Sequence, residues 1–386
     1  MLKINLATEC YSCGACVKVC PVQCIHLEED DRGFLKPHIE KDKCIDCGLC
    51  EKKCIASYKN EHTEIHAMKT MYGYNLDKEK RNGGASGGVF FELATACLKK
   101  GYLVAGCIWD ENWNPIHVLT ENMETVKKMQ RSKYAQSNVS GVFAPIKEAL
   151  KGGKKVLFSG TPCQIAAVRK YVGKTDGLFC VGLICHGVAS RKVWRMYLET
   201  LRKQHGEITN VRMREKSGIP WSKLSLFFEF ADGKQIVLSK PENGQFMQCF
   251  QECVYISERC LSCQYKGDAI EADIILGDGW GQNAIVKSME DGKGMSCILV
   301  KTEKGLEFWD EISGNFFTRE ATADLVAQGN NRIVTASKKN PLTNKFYNEV
   351  ERKGIVDAEL LKKYMYINTP TAKIKKVIRK LIGRLS

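Results

Sequence analysis

The sequence lacks any apolar run long enough to cross a bilayer. Its longest, Gly177 to Ala189, is too short and too rich in glycine. Met1 to Glu9 contain no apolar signal-peptide core. A helix-turn-helix signature and a basic–aromatic array are also missing, so no nucleic-acid partner is expected. Acidic side chains are the minority, 44 against 58 lysines and arginines, and none follows Glu359. These absences leave a chain of 386 residues, 44% hydrophobic, with enough apolar content for a sizeable core and two or three domains. Nineteen cysteines, grouped as metal ligands, imply a reducing compartment, and the expectation is a cytoplasmic protein.

Eight of those cysteines form two runs of one spacing, Cys10-x2-Cys13-x2-Cys16-x3-Cys20-Pro21 and Cys44-x2-Cys47-x2-Cys50-x3-Cys54. This is the bacterial two-cluster ferredoxin pattern. Each triplet supplies three thiolates to one [4Fe–4S] cluster, and the trailing cysteine ligates the other cluster. Cys10, Cys13, Cys16 and Cys54 are therefore expected around one cluster, and Cys44, Cys47, Cys50 and Cys20 around the second. Zinc prefers two separated Cys-x2-Cys pairs and fits less well. Ile55 stands where a proline usually follows the last ligand, which loosens that turn. Cys24, just outside the first run, reads as a buried thiol.

Ile55 to Leu76 reads as a polar linker. Beyond it, Gly83-Gly84-Ala85-Ser86-Gly87-Gly88 leads into a helical apolar pattern ending at Gly101. Such a turn is an anion cradle or simply a flexible, serine-capped helix start. Strands are expected at Tyr102–Trp109, Lys154–Gly160, Gly177–Cys185, Ala272–Leu276 and Ser296–Lys301, with helices between and a hairpin turning at Asp232-Gly233. The fold class expected is mixed α/β: a small ferredoxin domain at 1–60, an open-sheet α/β domain at 70–335, and a helical basic tail at 340–386. Cys163 and Cys185 each follow a strand, and Cys260-x2-Cys263 precedes another. On adjacent parallel strands the first two would meet at the carboxyl edge of the sheet. Together the four make a third [4Fe–4S] site, with Cys249 and Cys253 as rival ligands and plain core packing of Cys163 and Cys185 as the alternative. Three clusters of about −2 each would bring the formal charge of +14 to roughly +8.

The ordered set Gly83 to Gly88, Ser132-Lys133-Tyr134, Gly160-Thr161-Pro162-Cys163-Gln164, Cys185-His186-Gly187, Arg259-Cys260-x2-Cys263 and Ala272-Asp273-Ile274-x2-Gly277-Asp278-Gly279-Trp280-Gly281 resembles the coenzyme F420 hydrogenase/dehydrogenase beta-subunit family, which includes plant 7-hydroxymethyl chlorophyll a reductase. The resemblance implies a flavin, FAD or alternatively FMN, beside a cluster held by Cys163, Cys185, Cys260 and Cys263. It implies flavin contacts at Gly84, Ser86, Gly87, Gly88, Ser132, Lys133, Tyr134 and Asp278. Lys133 is then a candidate for stabilising reduced flavin, or else a surface lysine. His186 is a candidate proton donor, or else a core histidine. Gly279 departs from the family's usual aromatic residue, which is expected to open space beside Trp280.

The parts suggest an iron–sulfur flavoprotein oxidoreductase that takes electrons from reduced ferredoxin, or another redox protein, and passes them to an organic acceptor. The alternatives are a coenzyme F420-linked hydrogenase or dehydrogenase beta subunit, and an electron-transfer adaptor without catalysis of its own. At the C-terminus Ile374, Val377, Ile378, Leu381, Ile382 and Leu385 recur at helical spacing among lysines and arginines. That pattern suits a terminal helix packed on the body, or peripheral contact with the inner face of the membrane and a substrate from surface-polysaccharide metabolism.

Overall fold

The computed structural model describes residues 2–60, 64–240 and 242–365. The repeated cysteine runs fold as repeated turns. Ser12 and Asp46 have φ of 57° and 50°, and Gly14 and Gly48 have φ of 73° and 72°, so each run makes the same left-handed turn. Gly14 caps the helix Ala15–Val19, and Gly48 caps the helix Leu49–Lys52. Between the runs, β1 (Ile25–Glu29) and β2 (Leu35–Ile39) pair antiparallel.

The stretch Ile55 to Leu76 is not linker throughout. The segment read as linker contains β3 (Lys69–Asn75), an inner strand of the main sheet. Its residues alternate only weakly between apolar and polar, and its pairing with strands more than 200 positions later fixes it. Then follow β4 (Leu103–Trp109), β5 (Pro115–Thr120), β6 (Val156–Gly160), β7 (Leu178–Leu183), β8 (Ile208–Glu215), β9 (Ser225–Phe230), β10 (Gln235–Leu238), β11 (Ile274–Asp278), β12 (Ser296–Val300) and β13 (Phe316–Glu320). Eight of them form one open sheet in the order β13-β3-β12-β11-β7-β6-β4-β5. Strands β4, β6, β7 and β11 run parallel, with antiparallel strands at both margins. The expected hairpin is the β9–β10 ribbon, extended by β8 into a second sheet.

Period-two alternation divides the strands between two cores. Val156, Phe158, Leu178, Cys180, Ile275 and Leu299 face the helices carrying Phe143, Ile146, Ile165 and Val168. Leu157, Phe179, Ile274, Ile298 and Val300 face the helices carrying Val89, Leu93, Phe308 and Trp309. A third core joins the helix Arg191–His205 to the β8–β10 sheet through Trp194, Tyr197, Leu198, Phe228 and Phe246. Helices Thr343–Lys353 and Ala358–Tyr364 bury Phe346, Val350, Leu360 and Leu361 in that core. The amphipathic pattern from Ile374 to Leu385 lies outside the described residues, and with it the basis for membrane contact and a polysaccharide-linked substrate. Among the described residues no helix is long and apolar enough to cross a membrane.

Candidate iron–sulfur and cofactor site

Strands β6 and β7 are adjacent and parallel, so Cys163 and Cys185 meet beyond their carboxyl ends, as the geometry of α/β sheets requires. Pro162 starts the helix Pro162–Val172. The Thr161 backbone N–H donates to Gln164 Oε1 at 2.9 Å, and Thr161 Oγ1 lies 3.3 Å from Cys163 Sγ. The turn Glu258–Ser262 brings up Cys260 and Cys263. All four thiols line one cavity together with Tyr11, Ser12, Cys13, His186, Arg259 and Lys266. Gly187, at φ 138°, lets the chain pass Cys260, whose Sγ would lie 3.6 Å from any added Cβ.

The chemistry of this donor set fits a cluster. Burial, then the facing Cys263 and Cys185, push the Cys163 thiol well up. Burial, Cys185 and Cys263 push Cys260 up to about 12. Thiolates so placed repel one another unless cationic iron lies between them. The first ferredoxin set converges in the same way. Burial, with Cys10 and Cys54 nearby, pushes Cys13 up to about 12, and Cys16 feels Cys13, Cys10 and Cys54. In the second set Cys20 and Cys44 sit beside Cys24, with Cys20 Sγ 3.4 Å from Cys24 Sγ, and Cys47 is exposed. Neither rival ligand lines the cavity shared by Cys163 and Cys185. Cys249 donates to the Leu361 carbonyl, and Cys253 lies 3.3 Å from His186 Nε2.

His186 is a half-buried imidazole held toward its neutral form. Burial, then Arg332, hold its pKa down to about 4, and Nε2 lies 3.2 Å from the Phe250 carbonyl. That oxygen only accepts, so Nε2 carries the proton. Phe250 in turn packs on Tyr134 with ring centroids 4.9 Å apart. The Tyr134 hydroxyl accepts from Arg214, whose guanidinium also grips Asp278 at 2.6 and 3.2 Å. His186, Tyr134 and Asp278 thus belong to one contiguous region leading away from the cysteine cavity.

The glycine turn joins this region through cations that sequence reasoning missed. Lys216 Nζ donates to the carbonyls of Arg81 and Ser86. Arg131 reaches the carbonyls of Asn82 and Arg214. Burial, then Arg131, Arg81 and Arg214, bring Lys216 down to about 7. Burial brings Lys133 down to about 8, and its ammonium donates to the Gln130 carbonyl at 3.1 Å. Ser132, half-buried, precedes it in the same loop. Part of the turn is committed internally. Ser86 Oγ donates to the Met295 carbonyl and the Gly87 N–H donates to Ser296 Oγ, while a Cβ on Gly87 would fall 2.5 Å from the Gly73 carbonyl oxygen. Gly84 packs on Gly88, and Gly88, at φ 83°, begins the helix Val89–Lys99. Gly279 opens no space: a Cβ there would meet Met295 Cγ at 2.7 Å and Tyr72 at 3.2 Å. Trp280 is instead covered by Trp221, with the rings parallel within 5° and centroids 4.0 Å apart.

Family models match three stretches of the chain. Residues 70–144 match the N-terminal part, and 153–324 the C-terminal part, of the coenzyme F420 hydrogenase/dehydrogenase beta subunit. Residues 9–57 match a 4Fe-4S dicluster domain. The chain is 25% identical over 322 residues to one of the subunits of the F(420)H(2) dehydrogenase of Methanosarcina mazei, spanning 78% of this chain and 82% of that protein. It is 27% identical over 309 residues to the coenzyme F420-dependent sulfite reductase of Methanocaldococcus jannaschii, spanning 46% of that longer protein. A chain of the F420-reducing [NiFe] hydrogenase complex from Methanosarcina barkeri is similar with a TM-score of 0.48 and 20% identity, over 72% of this chain and 92% of that one.

Proposed function

The chain belongs to the coenzyme F420 hydrogenase/dehydrogenase beta-subunit family, with a dicluster 4Fe-4S domain ahead of it, and on that premise we propose that it is the F420-linked electron-transfer subunit of an oxidoreductase. This puts the F420-linked alternative first and the ferredoxin-driven reduction of an organic substrate second, because two of the curated relatives matching most of the chain carry F420 in their names. A cytoplasmic location and a docked redox partner go with the same reading.

When bound, clusters supply one-electron transfer, and a flavin supplies the exchange between one-electron and hydride chemistry. The chain's own part is to place them. Cys163, Cys185, Cys260 and Cys263 would hold a third cluster beside the one expected at Cys10, Cys13, Cys16 and Cys54. The observation that carries this is the single cavity bordered by Cys13 from the module and all four body cysteines.

Lys216, Arg131 and the glycine turn would hold the phosphates of FAD, with FMN as the alternative. The residues fit an anion there, because half-buried Lys216 lies among three arginines and keeps one ammonium N–H beyond the two given to carbonyls. Lys133 and Tyr134 border the same region, and Asp278 fixes Arg214 within it. His186 offers no ready proton at neutral pH. Its bond to Phe250 favours a role in holding the loop after Cys185.

The test is anaerobic addition of reduced coenzyme F420 to the flavin-loaded protein. Bleaching of flavin and cluster absorbance is expected. If only reduced ferredoxin bleaches it, the ferredoxin-driven reading takes precedence.

A further inference from the structure

Arg259 is 7% exposed, yet its Nε and Nη2 have no hydrogen-bond partner among the described residues. Ser12, 5% exposed, has a similarly unpartnered hydroxyl. Leaving such donors buried without acceptors is costly, by about 1–3 kcal/mol for each group. Both residues line the cavity shared by Cys13 and the four body cysteines. The Arg259 guanidinium lies 4.3 Å from the centroid of the Tyr11 ring, and the Tyr11 hydroxyl accepts the Gln264 N–H at 3.0 Å, next to Cys263. Lys266, the other buried cation at the cavity, is committed to the carbonyls of Cys185 and Arg332 at 2.7 and 2.6 Å. Arg259 therefore has two unpartnered donors to give, whereas Lys266 already commits two of its three to backbone carbonyls.

We propose that Arg259 and Ser12 donate to the sulfur atoms of the centre held by Cys163, Cys185, Cys260 and Cys263, and that Arg259 holds its reduction potential up. This rests on the three-centre reading above. Reduction adds one electron, hence one negative charge, to a centre that is already anionic. In a low-dielectric site a nearby cation and N–H donors to sulfur stabilise the reduced state more than the oxidised state. The position also suits direction. Arg259 covers Tyr11, whose neighbours in the chain, Cys10 and Ser12, link it to the ferredoxin-like module, so the cation lies at the junction of the two centres. Raising the potential of the body centre draws electrons from the module inward, or holds them there on the way out.

The experiment is an anaerobic dithionite titration of the full chain followed by electron paramagnetic resonance, with iron measured first. The body centre's signal is identified as the one missing from Cys260→Ser/Cys263→Ser. In Arg259→Gln that signal is expected to appear only at lower potential, with about twelve irons retained. Arg259→Lys should recover most of the shift, and Ser12→Ala should move it the same way by less. An unmoved potential in Arg259→Gln overturns the proposal. So does iron loss in both Arg259 variants, which would make the side chain a prop for Tyr11. About eight irons in the unaltered protein would instead remove the third centre itself, an outcome read before any variant is made.

Discussion

The Tyr265 hydroxyl donates to the Ile55 carbonyl at 2.9 Å, tying the segment after Cys263 to the residue that follows the last cysteine of the ferredoxin-like module. Tyr265 also stacks on Tyr58 at 5.4 Å and meets Tyr11 edge-on at 5.1 Å. The residue that replaces the usual proline is thus a docking point, and Ile55 itself is buried.

Tyr265→Phe should therefore cost about 1 kcal/mol, the worth of one hydrogen bond. Tyr265→Ala should cost about 3 kcal/mol, because the packing goes too. Anaerobic urea unfolding measures both. Equal losses in the two variants would mean that the hydroxyl, not the ring, fastens the module.

The cysteine cavity predicts an iron count. Cys260→Ser/Cys263→Ser should lose about four of about twelve irons and leave the eight that belong to the module. A full complement in that variant would sink the assignment.

Arg214 is nearly sealed from solvent and its charge rests on Asp278 and the Tyr134 hydroxyl. Asp278→Asn should cost on the order of 3 kcal/mol, since an uncompensated cation stays buried. The double variant Arg214→Met/Asp278→Leu should regain most of it. The check is a set of thermal midpoints; a double variant worse than the single one would assign the pair a stabilising role of its own.

Lys216 makes anion binding depend on pH. Its folded value of about 7 lies below the usual 10.5 because of burial and its arginine neighbours. The unfolded chain therefore binds more protons between those values, and stability should rise as pH rises through that window. Binding of a phosphate-bearing flavin should do the opposite, weakening as pH rises through about 7 and the ammonium loses its proton. Flavin titrations at pH 6 and 8 measure it (Lys216→Met should flatten the difference). An unchanged difference in that variant would place the phosphates elsewhere.

Much of this was legible in one dimension because it is local. The repeated cysteine spacing dictated repeated left-handed turns at Ser12/Gly14 and Asp46/Gly48. The strand–cysteine–helix order at Cys163 and at Cys185 placed both at one sheet edge once β6 and β7 were neighbours. What escaped was non-local. Strand β3 looks like linker until β12 and β13 pair with it. The space expected at Gly279 is filled by Met295 and Tyr72, residues that no spacing rule connects to it.

The sequence by itself set out which cysteines are candidate iron ligands and in which two repeated turns, because ligand spacing of two or three residues is a property of the chain. Only the tertiary structure decided that Cys260 and Cys263 face Cys163 and Cys185, and that Cys13 borders the same cavity. It alone gathered Lys216, Arg131 and Arg214 around the glycine turn and left Arg259 with buried donors. Those outcomes follow from burial and strand pairing over scores of residues, where each contact is fixed by the sum of the others.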